Sequence, residues 1–332
     1  MPIVTLAFTN GEKVRCEVPR GQTILEAAQA AGIVLAKECE NGACQTCRGT
    51  LRSGQVEELD VTELSEEDFD AGAVLVCSTG PLSDAEIEFP YAPEELITPA
   101  PHQMTVQDVT LLSPTTARLR GQLPRRNDFR FRPGQYVNIS LPGLQAKRSY
   151  SMASPPSDPR NVEFHIRLLP GGLMSAYVTD EAAPGATLDI VGPYGAFYLR
   201  EADGPAVMIA GGTGLAPMIS MLRALAQRNA TRRIALYYGV TRFEDLYGLD
   251  ELEGLKARLP GLSVHCAVAE ADNRWTGRTG YVTDLLSGPD LPPAEQVYVC
   301  GPPAMMHAVR DLIAQRFAAD VDVFYEEFAP VS

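Results

Sequence analysis

The chain has 332 residues, 45% of them hydrophobic, with 28 Lys and Arg against 42 Asp and Glu for a net charge of −14. That length has room for two or three domains with buried cores, and the acidity disfavours nucleic acid and anionic membranes as partners. Seven cysteines, an odd number, do not read as a disulfide set.

The acidity is uneven. Residues 1–98 hold 18 Asp and Glu against 6 Lys and Arg, so they carry −12 of the −14. This is either a solvated face that keeps a small domain soluble or a negative docking surface for a basic protein. Met1-Pro2-Ile3-Val4-Thr5 shows no basic and apolar leader pattern. The longest apolar stretch, Ala206 to Ala226, is interrupted by Gly-Gly-Thr-Gly and Pro217, which fits a buried strand, tight turn and helix better than a membrane span.

In chain order, Ile3–Phe8 and Val14–Val18 flank Asn10-Gly11 and read as a hairpin. Gln22–Ala31 has apolar residues at helical spacing and stops at Gly32. Cys39, Cys44 and Cys47 follow, spaced C-x4-C-x2-C, with Cys77 delivered 30 residues later by the short strand Val74–Val76. Ile87–Phe89 is the last strand of this region. The pattern is that of plant-type 2Fe-2S ligands. Zinc-ribbon spacing fits it poorly. Gly42 lets the backbone turn close to a cluster, where amides can stabilise negative charge. Thiolate ligation asks for a reducing compartment, so a cytoplasmic location is expected. Cys16 and Cys266 lie on predicted strands and read as structural.

A stretch rich in Pro and Ala from Pro90 to Pro101 reads as a semi-rigid linker. The first domain is therefore set at residues 1–93 and the linker at 94–101. Residues 102–203 alternate in short strands such as Tyr136–Leu141, Val162–Leu168 and Thr187–Val191, a barrel-like pattern. Within them Arg148-Ser149-Tyr150-Ser151 combines a phosphate-matching fork, a ring and a hydroxyl, chemistry suited to a nucleotide with an aromatic head. Pro170–Ser175 opens a helix whose amides suit a pyrophosphate, and Gly192–Gly195 is a third turn.

Residues 204–332 alternate strand and helix, which points to a parallel sheet. Strands are expected at Ala206–Ala210, Arg233–Tyr238, Leu262–Val268, Gln296–Cys300 and Val321–Tyr325, and helices at Leu215–Gln227 and Ala304–Phe317. Gly211-Gly212-Thr213-Gly214 joins the first strand to a helix bearing Pro217; it is either a nucleotide cradle or a structural turn. Cys300-Gly301-Pro302 forms a second strand-end turn. Ligands of open parallel sheets lie beyond such strand ends, so one dinucleotide could span both, with Cys300 in the cleft.

Taken together, the Cys39/Cys44/Cys47/Cys77 set, Gly134–Val137, Arg148–Ser151, Gly171–Ser175, Gly192–Gly195, Gly211–Pro217, Cys300–Pro302 and Tyr325–Phe328 resemble, along the whole chain, the NADH-dependent reductases of two-component aromatic-ring-hydroxylating dioxygenases, benzoate/toluate type, within the ferredoxin–NADP⁺ reductase superfamily. The resemblance implies a multidomain α+β and α/β protein: a β-grasp 2Fe-2S ferredoxin domain, a Greek-key β-barrel FAD domain and a Rossmann-like nicotinamide domain. It implies that Arg148 and Ser149 bind FAD, that Tyr150 packs on the isoalloxazine, and that Ser151 sits near N5. It places Gly172, Met174 and Ser175 on the FAD phosphates. It puts Gly211, Gly212, Thr213, Gly214, Pro217, Gly301 and Cys300 at NADH, and Glu326 and Phe328 near the flavin, with Ser151, Cys300 and Glu326 as the catalytic set. Electrons would pass from NADH through FAD and the cluster to a terminal Rieske-type aromatic-ring oxygenase docked on the acidic domain. A di-iron monooxygenase, a demethylase or a sugar dehydratase is the alternative acceptor, and a redox sensor the reading from another class.

The loop departs from the family pattern at Glu40 and Gln45, where Arg and Gly or Ser are common. NADH is favoured over NADPH because Glu244 or Asp245, after the strand Arg233–Tyr238, could accept ribose hydroxyls and repel a 2′-phosphate, although Arg242 opposes this.

Overall fold

A computed structural model describes residues 1–62, 64–143, 147–288, 291–318 and 321–328. The chain divides into two compact units, Met1–Pro99 with Tyr194–Ala196, and Ala100–Pro193 with Phe197–Ser332.

In the first unit β1 (Ile3–Ala7) and β2 (Lys13–Glu17) form the expected hairpin; Gly11 takes φ +83° and Asn10 Oδ1 accepts from the Glu12 amide at 2.9 Å. Helix α1 (Ile24–Ala30) begins at Thr23 in a reciprocal capping box with Glu26 and ends before Gly32 at φ +74°. Then come β3 (Arg48–Ser53), β4 (Val56–Glu58), α2 (Glu66–Asp70), β5 (Ala73–Leu75), β6 (Thr79–Pro81) and β7 (Ala85–Glu88). The main sheet runs β2-β1-β7-β3-β5, with β1 and β7 parallel and the other pairs antiparallel, as in a β-grasp. Leu6, Ile24, Leu75, Ile87, Phe89 and Tyr91 fill its core. Tyr91, expected at the start of the linker, is fully buried, and its hydroxyl accepts from the Ala36 amide at 3.0 Å.

The second unit begins with the long strand β8 (Ala100–Ser113), so the strand already occupies the end of the expected linker. It continues with β9 (Thr116–Gln122), β10 (Tyr136–Ser140), β11 (Lys147–Ser151), β12 (Asn161–Arg167), α3 (Leu173–Ala176) and β13 (Thr187–Tyr194). The order β11-β10-β13-β8-β9-β12, closed by the antiparallel bridge Met152↔Phe164, makes the expected barrel. Its interior is apolar, with Leu119, Phe129, Val137, Ile139, Phe164 and Ile166 buried.

The same unit then builds β14 (Ala206–Gly211), α4 (Leu215–Gln227), β15 (Ile234–Arg242), α5 (Leu249–Arg258), β16 (Leu262–Glu270), β17 (Arg278–Thr279), α6 (Val282–Leu286), β18 (Gln296–Gly301), α7 (Pro303–Arg316) and β19 (Asp322–Glu327). Every pair in the sheet β17-β16-β15-β14-β18-β19 is parallel. Side chains alternate between two cores. Met208, Ala210, Leu236 and Tyr298 face α4 and α5, whereas Val207, Ile209, Val297 and Val299 face α6 and α7. The strand order reverses at β14 and β18, and the crevice at that switch point is where an open α/β sheet binds its ligand. Among the described residues, no helix is long and apolar enough to cross a membrane.

Candidate functional site: a thiol loop and two nucleotide cradles

The thiol loop is wound by three left-handed residues, Glu40 (φ +55°), Gly42 (φ +81°) and Gln45 (φ +55°). A β-carbon on Gly42 would stand 2.5 Å from the Val61 carbonyl oxygen and 2.9 Å from Ser78 Oγ, so only glycine fits there. Glu40 and Gln45, the two departures from the family pattern, each adopt a conformation that costs a non-glycine residue about 1 kcal/mol or more. Side-chain contacts accompany both: Glu40 with Lys37 at 2.7 Å, and Gln45 Oε1 accepting from Arg48 at 2.9 Å.

The winding brings the four predicted cysteines together. Cys39 and Cys77 are in hydrogen-bonding contact, as are Cys39 and Cys44, and Cys47 and Cys77; the Cys44 amide also donates to Cys39 Sγ at 3.3 Å. Hydrogen bonds from its neighbours Cys44 and Cys77 hold the Cys39 thiol below its ordinary range, and Cys77 does the same for Cys47. Cys44 is pushed up by Cys39 and then by burial; Cys77 is pushed up by Cys39 and Cys47. Four thiolates this close repel one another and call for a cation. Four such donors, with Cys39 beside Cys44 and Cys47 beside Cys77, fit the ligand set of a 2Fe-2S cluster. All seven cysteines are free thiols; Cys16 is buried as expected, and Cys266 is half-buried with its thiol pushed up to about 11 by burial.

The first cradle lies on the barrel. On β11, Arg148 and Tyr150 alternate with Ser149 and Ser151. The Arg148 guanidinium donates to the Lys147 carbonyl, and Ser149 Oγ donates to Asn138 Oδ1 at 2.7 Å. Burial raises the Tyr150 phenol well above its ordinary range, which keeps the ring neutral. Ser151 is buried, and its Oγ has no hydrogen-bond partner in the protein. A buried hydroxyl left this way calls for an outside partner. Gly171 (φ +70°) and Gly172 lead into α3, and Ser175 Oγ accepts from the Leu169 amide at 2.7 Å, closing the turn. This turn lines an open cleft of about 400 Å³ between Leu168 and Asp180 that includes Thr179. Met174 is buried beneath it in the barrel core. The orphaned hydroxyl and the glycine-edged cleft fit a flavin nucleotide.

The second cradle is the switch point. Gly212–Gly214 forms a tight turn between β14 and α4, with Gly212 at φ +53° and no atom within 4 Å of a built β-carbon. By contrast, a β-carbon on Gly214 would stand 2.1 Å from the Cys300 carbonyl oxygen, and one on Gly211 2.4 Å from Met305 Sδ. The two strand-end turns therefore touch through glycine backbone, leaving the Gly212 side open. Thr213 completes the turn, and Pro217 sits in the first turn of α4, where its missing N–H costs no helical bond. The β18–β19 register sets Glu326 beside Cys300, and the Phe328 amide donates to the Gly301 carbonyl at 2.9 Å. Cys300, expected in a cleft, is instead fully buried on the α4 side of the sheet; burial, then Glu326, raises its thiol well above the ordinary range.

Of the two acidic residues offered for the ribose, Asp245 is engaged elsewhere. It is buried, its Oδ1 is held by Thr115 at 2.7 Å and Arg167 at 2.8 Å, and its Oδ2 accepts from the Arg242 amide at 3.2 Å. Its Oδ1 joins the parallel sheet to the barrel through Thr115 and Arg167, while its Oδ2 closes the local turn at Arg242. Glu244 stays at the end of β15, 3.5 Å from Arg274, and Arg242 pairs with Glu270 at 3.3 Å. Sequence reasoning also passed over Glu163, Ser220 and Arg223, whose contacts come from elements more than 50 residues apart.

The 2Fe-2S iron-sulfur cluster binding domain family matches residues 7–82, the oxidoreductase FAD-binding domain family residues 103–198 and the oxidoreductase NAD-binding domain family residues 208–311. The toluate 1,2-dioxygenase electron transfer component of Pseudomonas putida is 38% identical over 331 residues, covering 98% of both chains. The reductase component of phenol 2-monooxygenase from Pseudomonas sp. strain CF600 is 36% identical, covering 94% of this chain and 91% of its own. Among solved structures, the cytochrome P450 reductase of Amycolatopsis superposes with a TM-score of 0.72 at 30% identity, covering 99% of this chain and all of its own.

Proposed function

The chain belongs to the family of FAD- and NAD-binding ferredoxin reductases that includes the electron transfer components of aromatic-ring dioxygenases, and from that premise we propose that it takes hydride from NADH and delivers single electrons to a terminal Rieske-type aromatic-ring oxygenase. The observation that carries this is one chain with all three domain families in order, its four clustered thiols lying in the first. When bound, FAD accepts the hydride pair and the 2Fe-2S cluster passes electrons one at a time.

The protein's part is placement. Cys39, Cys44, Cys47 and Cys77 hold the cluster. Arg148 and Ser149 bind the flavin nucleotide, the neutral Tyr150 ring packs on the isoalloxazine, and Ser151 offers its unused hydroxyl to the ring edge. Gly172, Met174 and Ser175 shape the phosphate turn. Gly211, Gly212, Thr213, Gly214, Pro217 and Gly301 form the NADH cradle, with Glu244 left to meet the ribose hydroxyls. Cys300, Glu326 and Phe328 back the nicotinamide end of the cradle.

The acceptor docks on the acidic first domain. Glu57, Glu58 and Asp60 are exposed around Leu59, whose amide donates to the Ser78 carbonyl at 2.7 Å, one residue from Cys77. Electron delivery should therefore slow as ionic strength rises. Similarity to the phenol 2-monooxygenase and cytochrome P450 reductases supports a monooxygenase acceptor as the second reading. Stopped-flow spectra with NADH should show flavin bleaching before cluster bleaching; simultaneous bleaching, or none, counts against the relay. Reconstitution with a Rieske dioxygenase, a di-iron monooxygenase and a P450 then separates the acceptors by coupled turnover.

A further inference from the structure

The two cradles of the second unit are tied by a partly buried network that starts three residues from one and ends on the helix that carries the other. Ser151 closes β11, and the chain continues through Met152, Ala153 and Ser154. Ser220 Oγ donates to the Ser154 carbonyl at 2.7 Å, and Arg223 donates to the Ala153 carbonyl at 3.0 Å. Ser220 and Arg223 lie on α4, the helix that begins directly after Gly212–Gly214. β12 grips the same two residues from the other side: the Ala153 amide donates to the Glu163 carbonyl at 2.8 Å, and the Glu163 amide to Ser154 Oγ at 3.2 Å. Arg223 also donates to Glu163 Oε1 at 3.0 Å and to Glu251 Oε1 of α5 at 2.5 Å.

We propose that Ser220, Arg223 and Glu163 are positioning residues that hold the NADH turn at a fixed distance from the flavin-binding end of β11. This rests on the assignment of the two cradles to NADH and FAD made above. Hydride transfer between two bound rings demands a near-attack distance, and a misplacement of about 1 Å costs on the order of 10²-fold in rate. Helix α4 is a rigid rod, and Leu215 to Arg223 spans about 12 Å along it. A rod fixed at Ser220 and Arg223 transmits its position to the turn at its start. Fixing it needs the guanidinium fork, which reaches a carbonyl and two carboxylates at once; an ammonium at that position has no such geometry. Ser220, fully buried, donates to the carbonyl of Ser154, itself a buried residue.

Arg223→Lys and Ser220→Ala in the full-length protein, loaded with FAD and cluster, test this. Single-turnover flavin reduction at saturating NADH should fall about 10- to 100-fold in Arg223→Lys and about 3- to 10-fold in Ser220→Ala, with NADH dissociation constants within about 3-fold of the parent. The second readout needs no activity: amide hydrogen exchange in the flavin-free protein should rise at both 151–155 and 212–216 in either variant. Arg228→Gln, just past the end of α4 in an exposed pair with Glu201, should change neither. Unchanged flavin reduction in a variant whose exchange has risen overturns the proposal, as does faster exchange confined to residues around 223. If Arg223→Lys does not fold, Ser220→Ala carries both readouts. A parent protein whose flavin NADH fails to reduce refutes the functional reading instead, and the exchange result still decides the coupling.

Discussion

Gly214→Ala should damage the protein far more than Gly212→Ala, two residues away in the same turn. A β-carbon on Gly214 meets the Cys300 carbonyl oxygen at 2.1 Å, its carbonyl carbon at 2.6 Å and the Gly301 nitrogen at 3.1 Å. These are main-chain atoms of β18, a buried strand paired with β14 on one side and β19 on the other. A side chain could rotate away; this backbone cannot. Carbon–oxygen contacts relax at roughly 3.3 Å or more, so the turn and the strand must part by about 1 Å. Overpacking of this kind costs about 1–3 kcal/mol, and a main-chain obstacle belongs at the upper end. For a unit of this size each kcal/mol lowers the melting temperature by about 2–4 °C, which gives a fall of about 6–12 °C. Gly212 is strained differently: φ is +53° and its β-carbon meets nothing within 4 Å. Alanine there costs about 1 kcal/mol for the left-handed backbone, or about 2–4 °C.

Function separates the two further. The open space at Gly212 is where the dinucleotide is proposed to lie, so Gly212→Ala should raise the NADH dissociation constant with little loss of stability. Gly214→Ala should lower stability and slow flavin reduction together. Calorimetric melting and NADH titration of the two variants are the assays. A Gly214→Ala protein that melts within 2 °C of the parent, or a Gly212→Ala protein that melts below the Gly214→Ala protein, would refute the reasoning.

Asp245→Asn should cost about 3 kcal/mol, the low end for a broken buried pair because Arg167 is partly exposed, and should leave the preference for NADH over NADPH unchanged in steady-state assays. Ser151→Ala should leave the melting temperature of the flavin-free protein unchanged, since its hydroxyl has no protein partner, yet slow flavin reduction about tenfold for one lost hydrogen bond. Burial opposes ionisation of Glu163, but the His165 hydrogen bond and the Arg223 charge outweigh it and bring the carboxyl from 4.5 down to about 2. A depressed folded value gives stability that is full above the unfolded value and lost as pH falls from there towards about 2. This window is worth about 3 kcal/mol and should be absent from Glu163→Gln in urea titrations across it.

What could be read from sequence was what lies close in sequence. The thiol spacing, the Asn-Gly hairpin, α1 with its Gly32 stop and the strand–glycine–helix unit at Ala206–Gln227 are each one contiguous pattern, and each stands where it was expected. Helix α5 was missed because Gly254 interrupts it and only Leu249, Leu252 and Leu255 mark its face. α6, at five residues, and β17, at two, are too short to show a period. β15 was expected to end before Gly239 but runs on to Arg242. The glycine is there because Val282 of α6 would meet its β-carbon at 2.8 Å, a reason that lies 43 residues away.

The same limit explains why the sequence leaves Glu244 and Asp245 as alternatives. Glu244 and Asp245 are neighbours of like chemistry, and nothing local says which one faces a ligand. The choice is made by Thr115 and Arg167, both from the barrel, which turn one carboxylate inward and leave the other at the end of β15. Glu163 is the converse case. It sits on a strand of alternating residues, where a charged side chain reads as solvent-facing, yet all five residues from Val162 to Ile166 are buried. A buried carboxylate is tolerated only with partners, and its partners come from β12 itself and from α4. Parallel-sheet domains place their ligand turns by local glycine chemistry, but the spacing between one domain's turn and the next is set by contacts of long sequence separation. The cradles are therefore legible one at a time, and the contacts that set the spacing between them are not.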